Sequence, residues 1–316
     1  MDLQVGGMHH VTCVTADPRA NRRFYCDVLG LRLVKKTVNQ DDVSAYHLFY
    51  ADGAASPGSD ITFFHWPVPR ETRGTHSVAE TSFRVADAAA LDWWRERLAG
   101  AGVKVGQVGS RAGRAHLPFE DGEGQRLALV VDGGEGQAHA WADSPVPVNF
   151  QIRGLGPPLL AVPRGDKTGL MLTAVMNMQR RPSHAGEGPQ GGDIEVFESA
   201  GGGAAAEVHV MEDRSGAVTP GAGGVHHVAF RTSDRAGLTA WADRLSAIGI
   251  PNSGEVERYY FRSLYFREPG GVLFEIATDG PGFAVDEPLS SLGERLSLPP
   301  FLEARRREIE AGLVAL

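Results

Sequence analysis

The chain repeats itself, and that repeat constrains its architecture more than any other feature. Residues 83–132 align with 230–279 without a gap, at a constant offset of 147. Phe83, Arg84, Asp87, Leu91, Trp94 and Leu98 fall on Phe230, Arg231, Asp234, Leu238, Trp241 and Leu245. Further along, Gly102, Arg111, Phe119, Gly124 and Asp132 fall on Gly249, Arg258, Phe266, Gly271 and Asp279. One register held over such a length reads as duplication of a supersecondary unit. The unit itself is legible. Thr81–Val85 alternates as a short strand does. Asp87 stands where an N-cap belongs, ahead of a helix over Ala88–Ala99 whose Leu91, Trp94 and Leu98 form one apolar face. Gly100 and Gly102 end that helix, and strands follow through Arg126–Val131. The unit is βαβββ.

A fainter echo opens the chain. Met8-His9-His10-Val11 resembles Val225-His226-His227-Val228 at an offset of 217, and Thr15 and Asp17 fall on Thr232 and Asp234. Asp17-Pro18 reads as an N-cap followed by proline at the first helical position. A helix over Arg19–Val28 follows, ended by Gly30. Alternation returns in Ala45–Tyr50 and Ile61–Trp66. A divergent third copy is expected over 148–213, with strands near Val148–Ile152, Glu195–Glu198 and Glu207–Val210, and with His184–Asp193 and Gly201–Gly203 as loops. The expected fold is therefore α+β, with four βαβββ modules. Modules 6–68 and 76–133 make up the N-terminal half, 1–145. Modules 148–213 and 223–280 make up the C-terminal half, 146–282. Residues 283–316 form a tail ending in a charged amphipathic helix, Pro300–Val314.

Composition limits the chemistry. With 316 residues the chain suffices for about two ordinary domains. A formal net charge of -8 argues against a nucleic-acid partner, which calls for a basic face. No apolar run reaches the roughly 18–20 residues of a membrane span. The opening MDLQVGGMHH has neither the basic nor the apolar region of a signal peptide. A reduced, cytoplasmic protein is expected. The only cysteines, Cys13 and Cys26, are too few for a disulfide framework or a thiolate metal site. A metal would have to be held by imidazoles and carboxylates.

Comparison of the copies picks out such groups. The last module carries His227 on its first strand and Glu275 on its last. The same places in the second module hold Glu80 and Ala128. The first module keeps His9-His10 on its first strand, while Ile61–Trp66 offers no carboxylate. A buried histidine is ordinarily a satisfied core residue, but two His-His pairs at one module position are not ordinary. Two imidazoles and a carboxylate, His10, His227 and Glu275, form the ligand set of non-haem Fe(II) oxygenases, which leaves coordination positions open. Strand alternation predicts that within each pair only one ring faces the metal, with the other turned into a wall or the core. His47, His65, His76, His116, His139, His184 and His209 carry no such support. Asp17 and Asp234 read as helix caps.

These residues resemble the vicinal oxygen chelate (glyoxalase/bleomycin resistance/dioxygenase) superfamily, whose βαβββ modules pair into metal-holding cups. The likeness is nearer to its hydroquinone-type ring-cleaving dioxygenases, the 2,6-dichlorohydroquinone 1,2-dioxygenase group. It is carried by His9-His10-Val11-Thr12, by Leu29-Gly30-Leu31-Arg32-Leu33-Val34-Lys35-Lys36-Thr37, and by Tyr46-His47-Leu48-Phe49-Tyr50-Ala51-Asp52 with Ser56-Pro57-Gly58. Later stretches are Gly224-Val225-His226-His227, Arg258-Tyr259-Tyr260-Phe261 and Pro269-Gly270-Gly271-Val272-Leu273-Phe274-Glu275. The tail contributes Asp286-Glu287, Ser291-Leu292-Gly293 and Pro299.

The resemblance implies two cup-shaped mixed sheets and Fe(II), with Mn(II) as the alternative ion, at His10, His227 and Glu275. A metal shared by modules one and four requires them side by side, leaving two and three as a second cup. The resemblance further implies that His9, His226, Arg258 and Tyr265 surround the metal. His226 and Tyr265 would do acid–base work or hydrogen-bond oxygen, and Arg258 would hold an anionic oxygen or a ring substituent. The implied reaction is opening of a para-diol ring with O2. A catechol-type extradiol dioxygenase, a glyoxalase-like isomerase or lyase, and an aromatic-compound binding or resistance protein are the alternatives. Exposed sheet edges and the tail make a homo-oligomer the expected state. Phe64, Trp66 and Phe283 are expected in the substrate wall.

Overall fold

The structure, a computed structural model, describes residues 3–316. The chain begins with β1 (Met8–Thr15), α1 (Pro18–Arg22), β2 (Arg32–Val38), β3 (Tyr46–Ala51) and β4 (Asp60–His65). Next come β5 (Ser77–Val85), α2 (Ala88–Gly100), β6 (Lys104–Val105), β7 (Gly109–Arg111), β8 (Arg114–Glu120) and β9 (Arg126–Val131). The third stretch holds β10 (Leu159–Val162), α3 (Gly165–Leu170), β11 (Gln179–Arg180), β12 (Glu195–Glu198) and β13 (Glu207–Glu212). The fourth holds β14 (Val225–Thr232), α4 (Arg235–Ala247), β15 (Asn252–Glu257), β16 (Arg262–Arg267) and β17 (Leu273–Thr278), and α5 (Arg306–Gly312) lies in the tail.

Two mixed sheets result. The first has eight strands in the order β15-β16-β17-β14-β1-β4-β3-β2. The second has nine, along β11-β12-β13-β10-β5-β9-β8-β6 with β7 on β8. Each sheet is centred on an antiparallel pair, β1 with β14 and β10 with β5. Parallel neighbours flank each pair, β4 and β17 in one sheet, β13 and β9 in the other. The first strands of the chain thus pair with its last, enclosing the second sheet in sequence. Among the described residues no helix is long and apolar enough to cross a membrane.

The duplicated segments fold alike. α2 and α4 occupy equivalent positions, and their caps Asp87 and Asp234 share one extended conformation and accept from Ala90 N and Gly237 N. Leu91, Trp94 and Leu98 in one, and Leu238, Trp241 and Leu245 in the other, are buried in the common core. The turns before β9 and β17 need positive φ at Gly124 and Gly271, +89° and +93°, where a side chain would be strained.

Three elements depart from expectation. Val148–Phe150 is a 3-10 turn rather than a strand. Pro145 and Pro147 remove ladder donors there, and the turn is held under α2, where Trp94 Nε1 donates to Phe150 O at 2.8 Å and Trp93 stacks on Phe150. The strand of that stretch is Leu159–Val162. The helix after Asp17 tightens to five residues and then widens into a π-helical turn over Arg23–Val28. The tail helix is broken, with a 3-10 stretch over Pro300–Arg305 ahead of α5, its prolines standing at the start where they are tolerated. The tail is pinned to β2 by Lys35, fully buried, whose ammonium donates to Asp286 Oδ1 at 2.7 Å and to Glu287.

In the second sheet the buried carboxylates already have partners. Glu80 Oε1 lies 2.8 Å from His116 Nε2 and accepts from Arg111 Nη1 at 3.1 Å. Glu207 lies 3.0 Å from His209 Nε2 and accepts from Arg114. Burial would raise the Glu207 carboxyl, but His209 and Arg114 outweigh it and hold the pKa down to about 2. A carboxyl depressed by folding stabilises the fold above its ordinary value of 4.5, and that contribution is lost as pH falls toward about 2. At roughly 1.4 kcal/mol per tenfold change in proton affinity, it is on the order of 3 kcal/mol. Unfolding free energy measured in denaturant is therefore expected to fall between about pH 5 and pH 2, with Glu207→Gln showing a flatter acid limb. Identical acid limbs would refute this role.

Candidate metal centre

The site lies where β1 and β14 meet. Across the first sheet, His10 on β1 is in register with Ala229 on β14, Ala229 with Glu275 on β17, and Glu275 with Tyr265 on β16. Residues in register share a face, so all four side chains rise on one side. Their neighbours Val228, Phe230, Phe274 and Ile276 are buried in the apolar core. The methyl group of Ala229 leaves a gap over which His10 and Glu275 meet. His10 Nε2 is 3.2 Å from His227 Nε2 and 3.3 Å from Glu275 Oε2, and the last two are 2.8 Å apart. Among the described residues this is the one set of three potential ligands brought together. All three side chains are buried.

Both histidine pairs sit on β-bulges. On β1, Met8 faces Phe230 and His10 faces Ala229, so His9 is an extra residue. On β14, His227 faces Thr12 and Val225 faces Cys13, so His226 is the extra one. A bulge re-aims a side chain locally. As strand alternation predicts, only one ring of each pair, His10 and His227, reaches the cluster, but the bulges bring the two rings of each pair into contact. His9 and His10 meet Nδ1 to Nδ1 at 2.8 Å, and His226 and His227 do the same. His9 Nε2 lies 3.2 Å from the carbonyl of Thr278, which can only accept. His9 must carry its proton on Nε2, so its Nδ1 accepts from His10 Nδ1–H. The Nε2 of His10 is then a bare lone pair aimed at the cluster. Burial and the neighbouring His10 hold the His9 pKa down to about 3, so the ring stays neutral.

Glu275 is fixed from one side only. Ser263 Oγ donates to its Oε1 at 2.5 Å, whereas Oε2 is buried without a hydrogen-bond partner among the described residues. Tyr265 packs edge-on against His227, with ring centroids 5.7 Å apart, and burial and Glu275 push its phenol upward. Arg258 lies over the Tyr265 ring at 5.6 Å and pairs with Asp41 at 2.9 Å. His226 is exposed, with its ring against Phe64 and Trp66.

A cavity opens above the cluster, lined by His10, His227, Thr12, His47, Phe49, Phe64, Phe261, Tyr260, Tyr265 and Arg258, with Thr37–Asp41 at its rim. Of the expected wall residues only Phe64 lines it. Trp66 faces an adjoining groove with His226, and Phe283 backs the wall behind Phe49 and Tyr260. Phe261, whose ring packs on both His9 and His10, and His47 were not singled out from sequence. For His47 the available signal was its alternation with Phe49 on one strand.

The profile of the Glyoxalase/Bleomycin resistance protein/Dioxygenase superfamily matches residues 7–129 and 150–276. Over 314 residues the chain is 46% identical to the Bacillus subtilis (strain 168) protein named "Putative ring-cleaving dioxygenase MhqA", covering 98% of this chain and 99% of that one. It is 31% identical over 318 residues to the chlorohydroquinone/hydroquinone 1,2-dioxygenase of Sphingobium indicum, covering 97% and 95%. A solved structure from Bacillus subtilis subsp. subtilis str. 168, described as a "putative dioxygenase", superposes with a TM-score of 0.91 at 35% identity, covering 99% of this chain and 98% of that one. Glyoxalase I from Zea mays shares the fold at a TM-score of 0.63 and 14% identity, covering 86% of this chain and 92% of that one.

Proposed function

The chain belongs to the glyoxalase/bleomycin resistance protein/dioxygenase superfamily, and within it we propose a ring-cleaving dioxygenase that opens a hydroquinone-type ring using a non-haem Fe(II) held by His10, His227 and Glu275. The observation that carries this reading is the convergence of two Nε2 atoms, whose rings line a cavity, with an unpartnered, buried carboxylate oxygen. Two imidazoles and one carboxylate would leave other positions open on an ion they held. The sequences named as ring-cleaving and hydroquinone dioxygenases support the substrate class.

A bound Fe(II) would make a coordinated phenolic hydroxyl more acidic and provide a route for electrons between the ring and O2. The chain's own residues prepare for it. The Thr278 carbonyl, through His9, fixes the ligand tautomer of His10. For His227 to present a bare Nε2, its Nδ1–H must donate to His226 Nδ1, which leaves His226 with Nε2–H as its free donor. His226 is then an orienting residue and a hydrogen-bond donor, not a base. Tyr265 retains its proton and stands next to Glu275, placed to donate to an oxygen above the cluster. Arg258 supplies positive charge at the same edge. Phe261, Phe49 and Phe64 give the ring apolar walls.

Anaerobic reconstitution with Fe(II), followed by oxygen uptake with hydroquinone and with catechol, tests the reading. Stoichiometric uptake with hydroquinone and a ring-opened product are expected. Iron-loaded protein that consumes no O2 with either diol would sink it.

A further inference from the structure

The metal cluster accounts for one end of a para-diol. Its second oxygen, at the far end of the ring, needs its own recognition, and the cavity holds a group built for this. His47 on β3 lines the cavity with its ring between Phe49 and Phe64, centroids 3.9 and 4.4 Å away. Its Nε2 lies 2.9 Å from Thr62 Oγ1, and Thr62 Oγ1 lies 2.9 Å from Thr12 Oγ1. That contact through Nε2 is the one side-chain hydrogen bond His47 makes among the described residues, which leaves Nδ1 for a ligand.

Position follows from register. His10 and Thr12 alternate onto one face of β1, and Thr12 is in register with Thr62 on β4. Thr62 in turn faces Phe49, and the next residue on that face, Phe64, faces His47. The threonine pair is thus one step from the metal cluster along the cup, and His47 the step beyond. Burial keeps the imidazole neutral. If Nε2–H donates to Thr62, Nδ1 is an acceptor. If the Thr62 hydroxyl donates to Nε2, Nδ1 carries the hydrogen and donates. A phenolic hydroxyl satisfies both cases, because it both donates and accepts. A hydrogen or an alkyl group there satisfies neither, and an unmade hydrogen bond in an apolar wall is penalised.

Building on the dioxygenase reading above, we propose that His47, held by Thr62 and Thr12, recognises the ring oxygen remote from the metal and makes the site select para-diols over monophenols. It is a specificity residue that acts in binding.

The test is a calorimetric titration under argon, which measures affinity without turnover. Fe(II)-loaded wild type is titrated with hydroquinone and, separately, with phenol. Wild type is expected to prefer hydroquinone by about tenfold, the worth of one well-made hydrogen bond in a dry site. His47→Phe, with unchanged iron content, is expected to lose that preference through hydroquinone alone, phenol affinity staying within about twofold. If phenylalanine is not accommodated, the smaller His47→Leu provides the same comparison. A wild-type preference that persists in the folded variant overturns the role of His47 and leaves the dioxygenase reading standing. Wild type that binds neither ring overturns both.

Discussion

Glu275→Gln and His227→Ala proteins, purified and reconstituted under argon, are expected to retain almost no iron, and their oxygen uptake with hydroquinone should fall to background. His227→Ala removes one of the three atoms that meet over Ala229, and Glu275→Gln replaces the carboxylate oxygen by a neutral amide. Loss of an outer hydrogen-bond partner costs a metal site about 10- to 100-fold in affinity, so loss of a ligand should exceed about a hundredfold. Glu275→Gln is the sharper case, because an amide keeps the shape and replaces the unpartnered Oε2 by a weaker donor set. Metal stabilises the folded state by mass action, about 4 kcal/mol at a thousand times the dissociation constant. The wild-type melting temperature should therefore rise on adding Fe(II), and the variants should not respond. Metal content is read by elemental analysis and the shift by calorimetry. A variant that keeps a full complement of iron would refute the ligand assignment.

The second large effect is expected from a residue with no chemistry. Ala229 is fully buried and stands in register between His10 and Glu275. In Ala229→Leu the added branch occupies the gap where the ligand atoms converge. Overpacking of this kind costs about 1–3 kcal/mol in stability, which a protein of this size can absorb, but a ligand set displaced by a fraction of an ångström cannot close on an ion. Iron affinity is expected to drop about a hundredfold, with the circular-dichroism spectrum unchanged. Ala229→Gly, which removes bulk, should bind iron nearly as the wild type does. Equal affinity in the alanine and leucine proteins would show that the gap is not needed.

The duplicated frame was readable because its apolar residues keep one offset through both copies, and the structure repeats helix, cap and turn at that offset. His10, His227 and Glu275 stood out because copies that share framework residues differ at those positions. Other features left no mark in sequence. A bulge is one extra residue in a ladder, and nothing in Met8-His9-His10 distinguishes it from plain alternation, so the ring-to-ring contacts of both pairs went unforeseen. Ala229 matters through the volume it does not fill, which an alanine never advertises. His47 has a histidine, His116, at the same register of the second copy, so comparing those copies did not set it apart. The segment around Val148 looked apolar enough for a strand, but its prolines and the indole of Trp94 decided otherwise.

The nesting of one sheet inside the other in chain order sets a schedule for synthesis. All strands of the second sheet lie between Ser77 and Glu212, so that sheet has every strand it needs while the C-terminal quarter is still being made. β1 emerges first yet waits for β14, and the ion site waits until Glu275 has left the ribosome. Contacts so distant along the chain form late, because loop closure must precede them. A nascent chain stalled before Val225 carries His10 without His227 and Glu275, the other members of the proposed metal centre. Completion of the polypeptide is thus a condition for assembling that cluster, and truncated products lack it.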